Sequence, residues 1–249
     1  MIIDCHAHLG TDLVFDEVRS EEDIIKAMDE FHIEATVVQP MFGAIYLDDI
    51  RGTHDRIYKF SQAYPRRIFG MASITPLLHE ADYYNEAKRC RDELGFVGVK
   101  IHPAVHAVNP TGKRGEMVWK VCEELDLPLM VHTGAGVPFT LPALVIGRCK
   151  QFKNVKCILA HSGMISFAGE AFLAAHECPN VYLDTSWTAT HHIEHMVELF
   201  GANRVMFAGD EDTNVPVEIA KYDHMRISDE DKEWCMWKTA NEVFKLNFK

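Results

Sequence analysis

The chain has 249 residues, 47% of them hydrophobic and 25% charged, with 25 Lys and Arg against 37 Asp and Glu for a formal net charge of −12. That apolar fraction excludes a disordered chain, the 15 Gly and 10 Pro exclude a collagen-like or low-complexity one, and no apolar run reaches the roughly 18 residues needed to cross a bilayer. An acidic chain without a Lys/Arg stripe repels polyphosphate and anionic lipid, so the expected partner is a small-molecule substrate, with no nucleic acid and no membrane.

Eight short apolar, β-branched runs recur along the chain, at 1–5, 35–40, 68–74, 97–101, 128–132, 156–161, 181–185 and 204–209. Most are continuously apolar, as parallel strands covered on both faces must be. Amphipathic segments at 20–31, 54–64, 80–94, 115–125, 142–152, 165–176, 193–199 and 228–245 alternate with them. Ser20-Glu21-Glu22-Asp23 and Ser228-Asp229-Glu230-Asp231 read as helix-starting capping boxes with Asp in place of Glu. Strand-then-helix repetition across 249 residues, with no linker, predicts one α/β domain over 1–249, a single (β/α)8 TIM barrel. A doubly wound open sheet is the alternative, but it calls for a phosphate-binding glycine loop where His6-Ala7-His8-Leu9-Gly10 stands.

The seven cysteines, 5, 90, 122, 149, 157, 178 and 235, are scattered, odd in number and without a C-x-x-C pair, which predicts reduced thiols. Met1-Ile2-Ile3-Asp4-Cys5-His6 lacks the basic start and apolar stretch of an export leader, so a cytoplasmic location is expected.

A barrel of this kind works at the C-terminal ends of its strands. Those ends carry His6 and His8 on the first strand, Lys100 and His102 on the fourth, His132 on the fifth, His161 on the sixth and Asp210 on the eighth. Imidazole and carboxylate suit zinc and neighbouring divalent ions, and residues i and i+2 on a strand share a face, so His6 and His8 can hold one ion together. Zinc is the first expectation; manganese, iron and cobalt suit the same donors.

In order along the chain, Ile3-Asp4-Cys5-His6-Ala7-His8-Leu9-Gly10, Val99-Lys100-Ile101-His102-Pro103, Val131-His132-Thr133-Gly134, Leu159-Ala160-His161-Ser162-Gly163 and Phe207-Ala208-Gly209-Asp210 resemble the amidohydrolase superfamily, in its amidohydrolase-related branch. The resemblance implies a divalent metal held by His6, His8, His132 and Asp210, with one or two ions according to whether Lys100 and His161 also ligate. It further implies that Asp210 is general base and acid and that His161 is a second ligand or a hydrogen-bonding catalytic group. The leading expectation is therefore a metal-dependent hydrolase, in which a metal-activated water attacks a small amide, lactone or related carbonyl compound. The alternative on the same site is non-oxidative decarboxylation of a small aromatic or dienoic acid. Against it stand the generally greater length of such enzymes and Ser162-Gly163-Met164 where they often carry Gly-Glu. A metal-binding protein without activity is the remote third reading.

Substrate-binding expectations fall on His102, Lys100, Arg51, placed in a loop past the second strand where a guanidinium can clamp a carboxylate, and Trp187, an aromatic wall past the seventh. The connections 9–19 and 41–53 are the longest and are expected to line the pocket. His191, His192 and His195 are expected to open a surface helix. Trp234 and Trp237 are expected in the core; an exposed pair would instead mark a homodimer.

Overall fold

A computed structural model describes residues 1–12, 16–41 and 45–249. Its strands are β1 (Ile3–Asp12), β2 (Glu17–Arg19), β3 (Ala35–Pro40), β4 (Ile68–Gly70), β5 (Ala72–Ser73), β6 (Val99–Ile101), β7 (Leu129–His132), β8 (Cys157–Ala160), β9 (Val181–Asp184) and β10 (Val205–Met206). They pair as two sheets, β2-β1-β3-β4 and β10-β9-β8-β7-β6-β5, parallel throughout except for the β1–β2 ribbon.

The α/β, parallel-sheet expectation holds; among the described residues a single continuous closed ladder does not form. Two seams interrupt it, and each has a local cause. Between β4 and β5 the chain changes partners: the Met71 N–H donates to Val38 O at 2.8 Å and the next N–H, of Ala72, donates to Gly98 O at 3.0 Å. At the other seam the Cys5 N–H donates to Phe207 O, the Asp210 N–H to His6 O, and Ala7 bridges Asp210. There β10 stops after two residues because the Phe207 N–H turns to Cys235 O and the Gly209 N–H to Asp4 Oδ1.

Helices follow the strands: α1 (Glu21–Glu30), α2 (Leu47–Ala63), α3 (Glu80–Asp92), α4 (Lys113–Glu124), α5 (Ile146–Gln151), α6 (Ala168–Glu177), α7 (Thr190–Phe200), α8 (Val215–His224), α9 (Asp229–Glu233) and α10 (Thr239–Phe244). Ser20 and Ser228 cap α1 and α9 as their sequence predicts, the former in a full capping box. The last amphipathic segment is one helix broken by a π turn at Trp234–Lys238: the Thr239 N–H reaches back to Trp234 O, leaving Cys235 O for Phe207. Trp234 and Trp237 are partly buried against the core rather than paired on the surface. All seven cysteines are buried and free, and no helix among the described residues is long and apolar enough to cross a membrane.

The strand that carries His6 and His8 contains one residue more than its partner. Asp4 pairs Thr36 and Ala7 pairs Val38, so a bulge lies between them. Before it Ile3 and Cys5 face an inner cluster with Val37, Met71, Met130, Ile158 and Met206; after it Ala7 and Leu9 face the outer, helix-covered cluster. The extra residue thus inverts the alternation and turns His6 and His8 inward above the apolar plug. Asp4 Oδ1 accepts both the His6 N–H at the bulge (3.0 Å) and the Gly209 N–H across the seam (2.9 Å), and burial pushes its carboxyl up to about 7. Asp4→Ala strands two buried donors and is expected to destabilise the fold by about 2–4 kcal/mol. Asp4→Asn keeps the acceptor and should unfold close to the parent midpoint in denaturant; equal losses in the two variants would contradict this role.

The connections 9–19 and 41–53 are shorter than expected. Residues 9–12 extend β1, 17–19 form β2 and 47–53 belong to α2, while 13–15 and 42–44 lie outside the described residues.

Candidate metal centre

Three donor atoms converge above the inner plug. His6 Nε2 and His8 Nε2 are 3.1 Å apart, and Asp210 Oδ1 lies 3.2 Å from the first and 3.3 Å from the second. The far side of each ring decides what those atoms present. His6 Nδ1–H donates to Asp184 Oδ2 at 2.7 Å and His8 Nδ1–H donates to Pro40 O at 3.2 Å, so both Nε2 atoms offer lone pairs. Two lone pairs and a carboxylate oxygen facing one point make a site that a cation would complete. A divalent ion fits that donor set by charge and chemistry. The Lys100 ammonium, fully buried and 2.9 Å from His6 Nε2, supplies positive charge at the same point, and burial pushes it down to about 8.

His161 adjoins this centre, and His6, His161 and Asp184 form a second group of close donors. His161 Nδ1 lies 2.8 Å from Ser186 Oγ, whose hydroxyl donates to Asp184 Oδ1 at 2.6 Å. Asp184 therefore has both oxygens engaged and acts as the orienter of His6. His132 stands one step further out: its Nδ1 is 3.1 Å from His161 Nε2 and its Nε2 is 3.0 Å from Ala135 O. His102 stacks on His132, ring centroids 3.6 Å apart. Burial keeps these imidazoles neutral, pushing His161 down to about 4, His102 to about 2, and His6 and His132 well below their usual range. Burial opposes ionisation of Asp210, yet the His161, His6 and His8 rings outweigh it and hold the carboxyl well below the carboxylate norm. Asp210 is also the least enclosed of the three converging groups, and its Oδ2 accepts the Trp187 indole N–H at 2.7 Å.

The backbone under the site is strained in a consistent place. His161, Ser162, Met164, Trp187 and Asp210 all have positive φ, between 44° and 66°, at the turns that leave β8, β9 and β10. Non-glycine residues persist there only where surrounding contacts hold them.

Arg51 is a correction. It lies within α2, not in a loop, and its Nε–H donates to Glu86 Oε2 at 3.0 Å. Glu86 also takes Arg89 and His54, and burial, which would raise it, is outweighed by those partners, so its carboxyl falls to about 2. His54, Glu86 and Cys90 lie close enough to suggest a further metal site. However, His54 Nε2 accepts the Ser73 N–H, so Nδ1 carries the proton that Glu86 binds, and two guanidiniums already neutralise the carboxylate. That cluster is a structural ion-pair network tying α2 to α3. His191, His192 and His195 lie on α7, as expected of a surface helix. Sequence reasoning assigned no role to Asp4, Ser186 or Glu218 and did not see Asp184 as the partner of His6, because each acts through a contact across the fold.

A parallel-stranded α/β scaffold with histidines and a carboxylate converging at its strand ends defines a class of metal-site protein. Within that class the chain belongs to the amidohydrolase family, an enzyme family whose model, described as amidohydrolase, matches residues 3–246. No curated protein matches the sequence. Among solved structures the chain is similar to 2,6-dihydroxybenzoate decarboxylase from Rhizobium, at 16% identity and a TM-score of 0.81 over 99% of each chain. It is also similar to a dihydroxybenzoic acid decarboxylase from a Polaromonas species with bound manganese and 2-nitroresorcinol, at 18% identity and TM-score 0.80 over 100% of this chain and 98% of that one. A third similar structure is 4-oxalomesaconate hydratase from Rhodopseudomonas palustris, at 18% identity and TM-score 0.72 over 99% and 96% of the two chains.

Proposed function

We propose that this protein is a metal-dependent, non-oxidative decarboxylase of a small aromatic acid, the second of the two chemistries expected from its sequence. The observation that carries the reading is the pair at the mouth. Asp210, partly accessible, lies beneath the 41%-exposed Trp187 indole, so a planar ring lying along Trp187 meets a carboxylate able to accept a proton. Similarity in fold to dihydroxybenzoate decarboxylases over nearly the whole chain supports the same reading.

His6, His8 and Asp210 would hold the ion, with His132 and His161 completing its surroundings. When bound, the metal supplies Lewis acidity for the substrate carboxylate and an adjacent oxygen. Manganese, present in a similar structure, is the first ion to test, ahead of zinc. Asp210 takes the proton of an ortho hydroxyl and delivers it to the ring carbon bearing the carboxylate. The bond from that carbon to the carboxylate then breaks with its electron pair left on the ring, carbon dioxide departs, and solvent reprotonates the phenolate. The Lys100 ammonium stabilises the negative charge on substrate oxygens during the step, while His161, whose Nδ1–H donates to Ser186 Oγ, turns its Nε2 lone pair toward the centre.

Protein loaded with Mn²⁺ is offered a panel of hydroxybenzoic acids, beside a matched panel of amides and lactones, and both carbon dioxide release and ring-opened or hydrolysed product are followed. Release from the acids supports the proposal. Turnover confined to the amides or lactones would overturn it in favour of hydrolysis.

A further inference from the structure

Below the Asp210–Trp187 pair lies a buried carboxylate that neither the metal centre nor the proton transfer uses. Glu218, on α8 and 1% exposed, accepts through one oxygen the Trp187 backbone N–H at 2.9 Å, the Asn214 Nδ2–H at 3.1 Å and the Lys221 ammonium at 2.7 Å. The other Asn214 Nδ2–H donates to Gly209 O at 3.0 Å, one residue before Asp210. One side chain thus reaches both strained turns, the Trp187 turn at φ +58° directly and the Asp210 turn at φ +66° through Asn214. The two turns meet again where the Trp187 indole N–H holds Asp210 Oδ2, leaving Oδ1 to the histidines.

We propose that Glu218 is a positioning residue that, through Trp187 and Asn214, fixes the Asp210 carboxylate toward the His6–His8 pair. This rests on the reading of Asp210 as metal ligand and proton carrier. Its physical basis is that a left-handed turn at a bulky residue relaxes unless its backbone is tied, and the Trp187 N–H has Glu218 as its tie. Lys221 lets that tie remain a buried carboxylate, since an unpaired one would be costly.

The test combines a spectroscopic reporter with metal affinity. The four tryptophans are labelled with 5-fluorotryptophan, and the Trp187 fluorine resonance is assigned by its absence from Trp187→Phe. In Glu218→Ala the Trp187 resonance should move or broaden while that of Trp119, buried elsewhere, stays in place. Mn²⁺ affinity should fall about 10- to 100-fold, the usual effect of losing an outer partner of a ligand. Glu218→Gln, which keeps the size and the acceptor oxygen, should recover most of both. A Trp187 resonance unmoved in Glu218→Ala, or one that moves together with Trp119, overturns the proposal. If the parent chain takes up no Mn²⁺, the metal reading fails by itself, while the resonance still reports whether Glu218 positions Trp187.

Discussion

Asp210→Asn is expected to lower turnover of the aromatic acid by about 100- to 10,000-fold, the contribution of a positioned proton-transfer group. The amide is nearly isosteric and keeps an oxygen for the Trp187 indole, and the Asp210 backbone N–H still donates to His6 O, so circular dichroism and the unfolding midpoint should stay near those of the parent. The loss is chemical because an amide neither accepts the hydroxyl proton nor returns one to carbon. Rates of carbon dioxide release measured at saturating Mn²⁺ separate this from weakened metal binding. Parent-like rates would remove Asp210 from the chemistry altogether.

The second large effect is on stability through the metal. An ion that binds only the folded chain adds about 2.7 kcal/mol at a free concentration 100 times its Kd. For a chain of this size that raises the unfolding midpoint by roughly 5–10 °C. The parent should show this rise on adding Mn²⁺ to chelator-treated protein. His8→Ala should show almost none, since it removes one of three converging donors, and the Pro40 carbonyl that its Nδ1–H bound is a neutral acceptor. His8 is a cleaner probe than His6, whose removal strips the buried Asp184 Oδ2 of its imidazole partner and would confuse metal loss with the cost of that lost hydrogen bond. Elemental analysis of the same samples, with Lys100→Ala beside them, counts the ions: one ion retained without the lysine means a mononuclear centre, and two falling to one or none means that Lys100 bridges a pair. A midpoint that ignores Mn²⁺ in the parent would contradict the metal centre.

The converging donors of the candidate metal centre were legible because their logic is local. Ligand chemistry is written in residue type, and the two-residue period of a strand puts His6 and His8 on one face wherever the strand lies. Arg51 was misread because the helix that begins at Leu47 was placed from residue 54 onward, and a position read as loop became a helix face opposite Glu86. Helix α8 carries Pro216 in its first turn, a position to which proline is well suited.

By itself the sequence determined the alternation of buried strands and amphipathic helices, the reduced cysteines and the donors at the strand ends, since composition, period and capping act over a few residues. Only the tertiary structure decided how those donors are aimed. A one-residue bulge turns His6 and His8 above the plug, Asp184 sets the lone pair of His6 from 178 positions away, and Glu218 ties two strained turns that no local pattern joins. The reason is physical: which lone pair an imidazole presents, and whether a bulky residue stays in a left-handed turn, depend on hydrogen-bond partners that folding brings from distant parts of the chain.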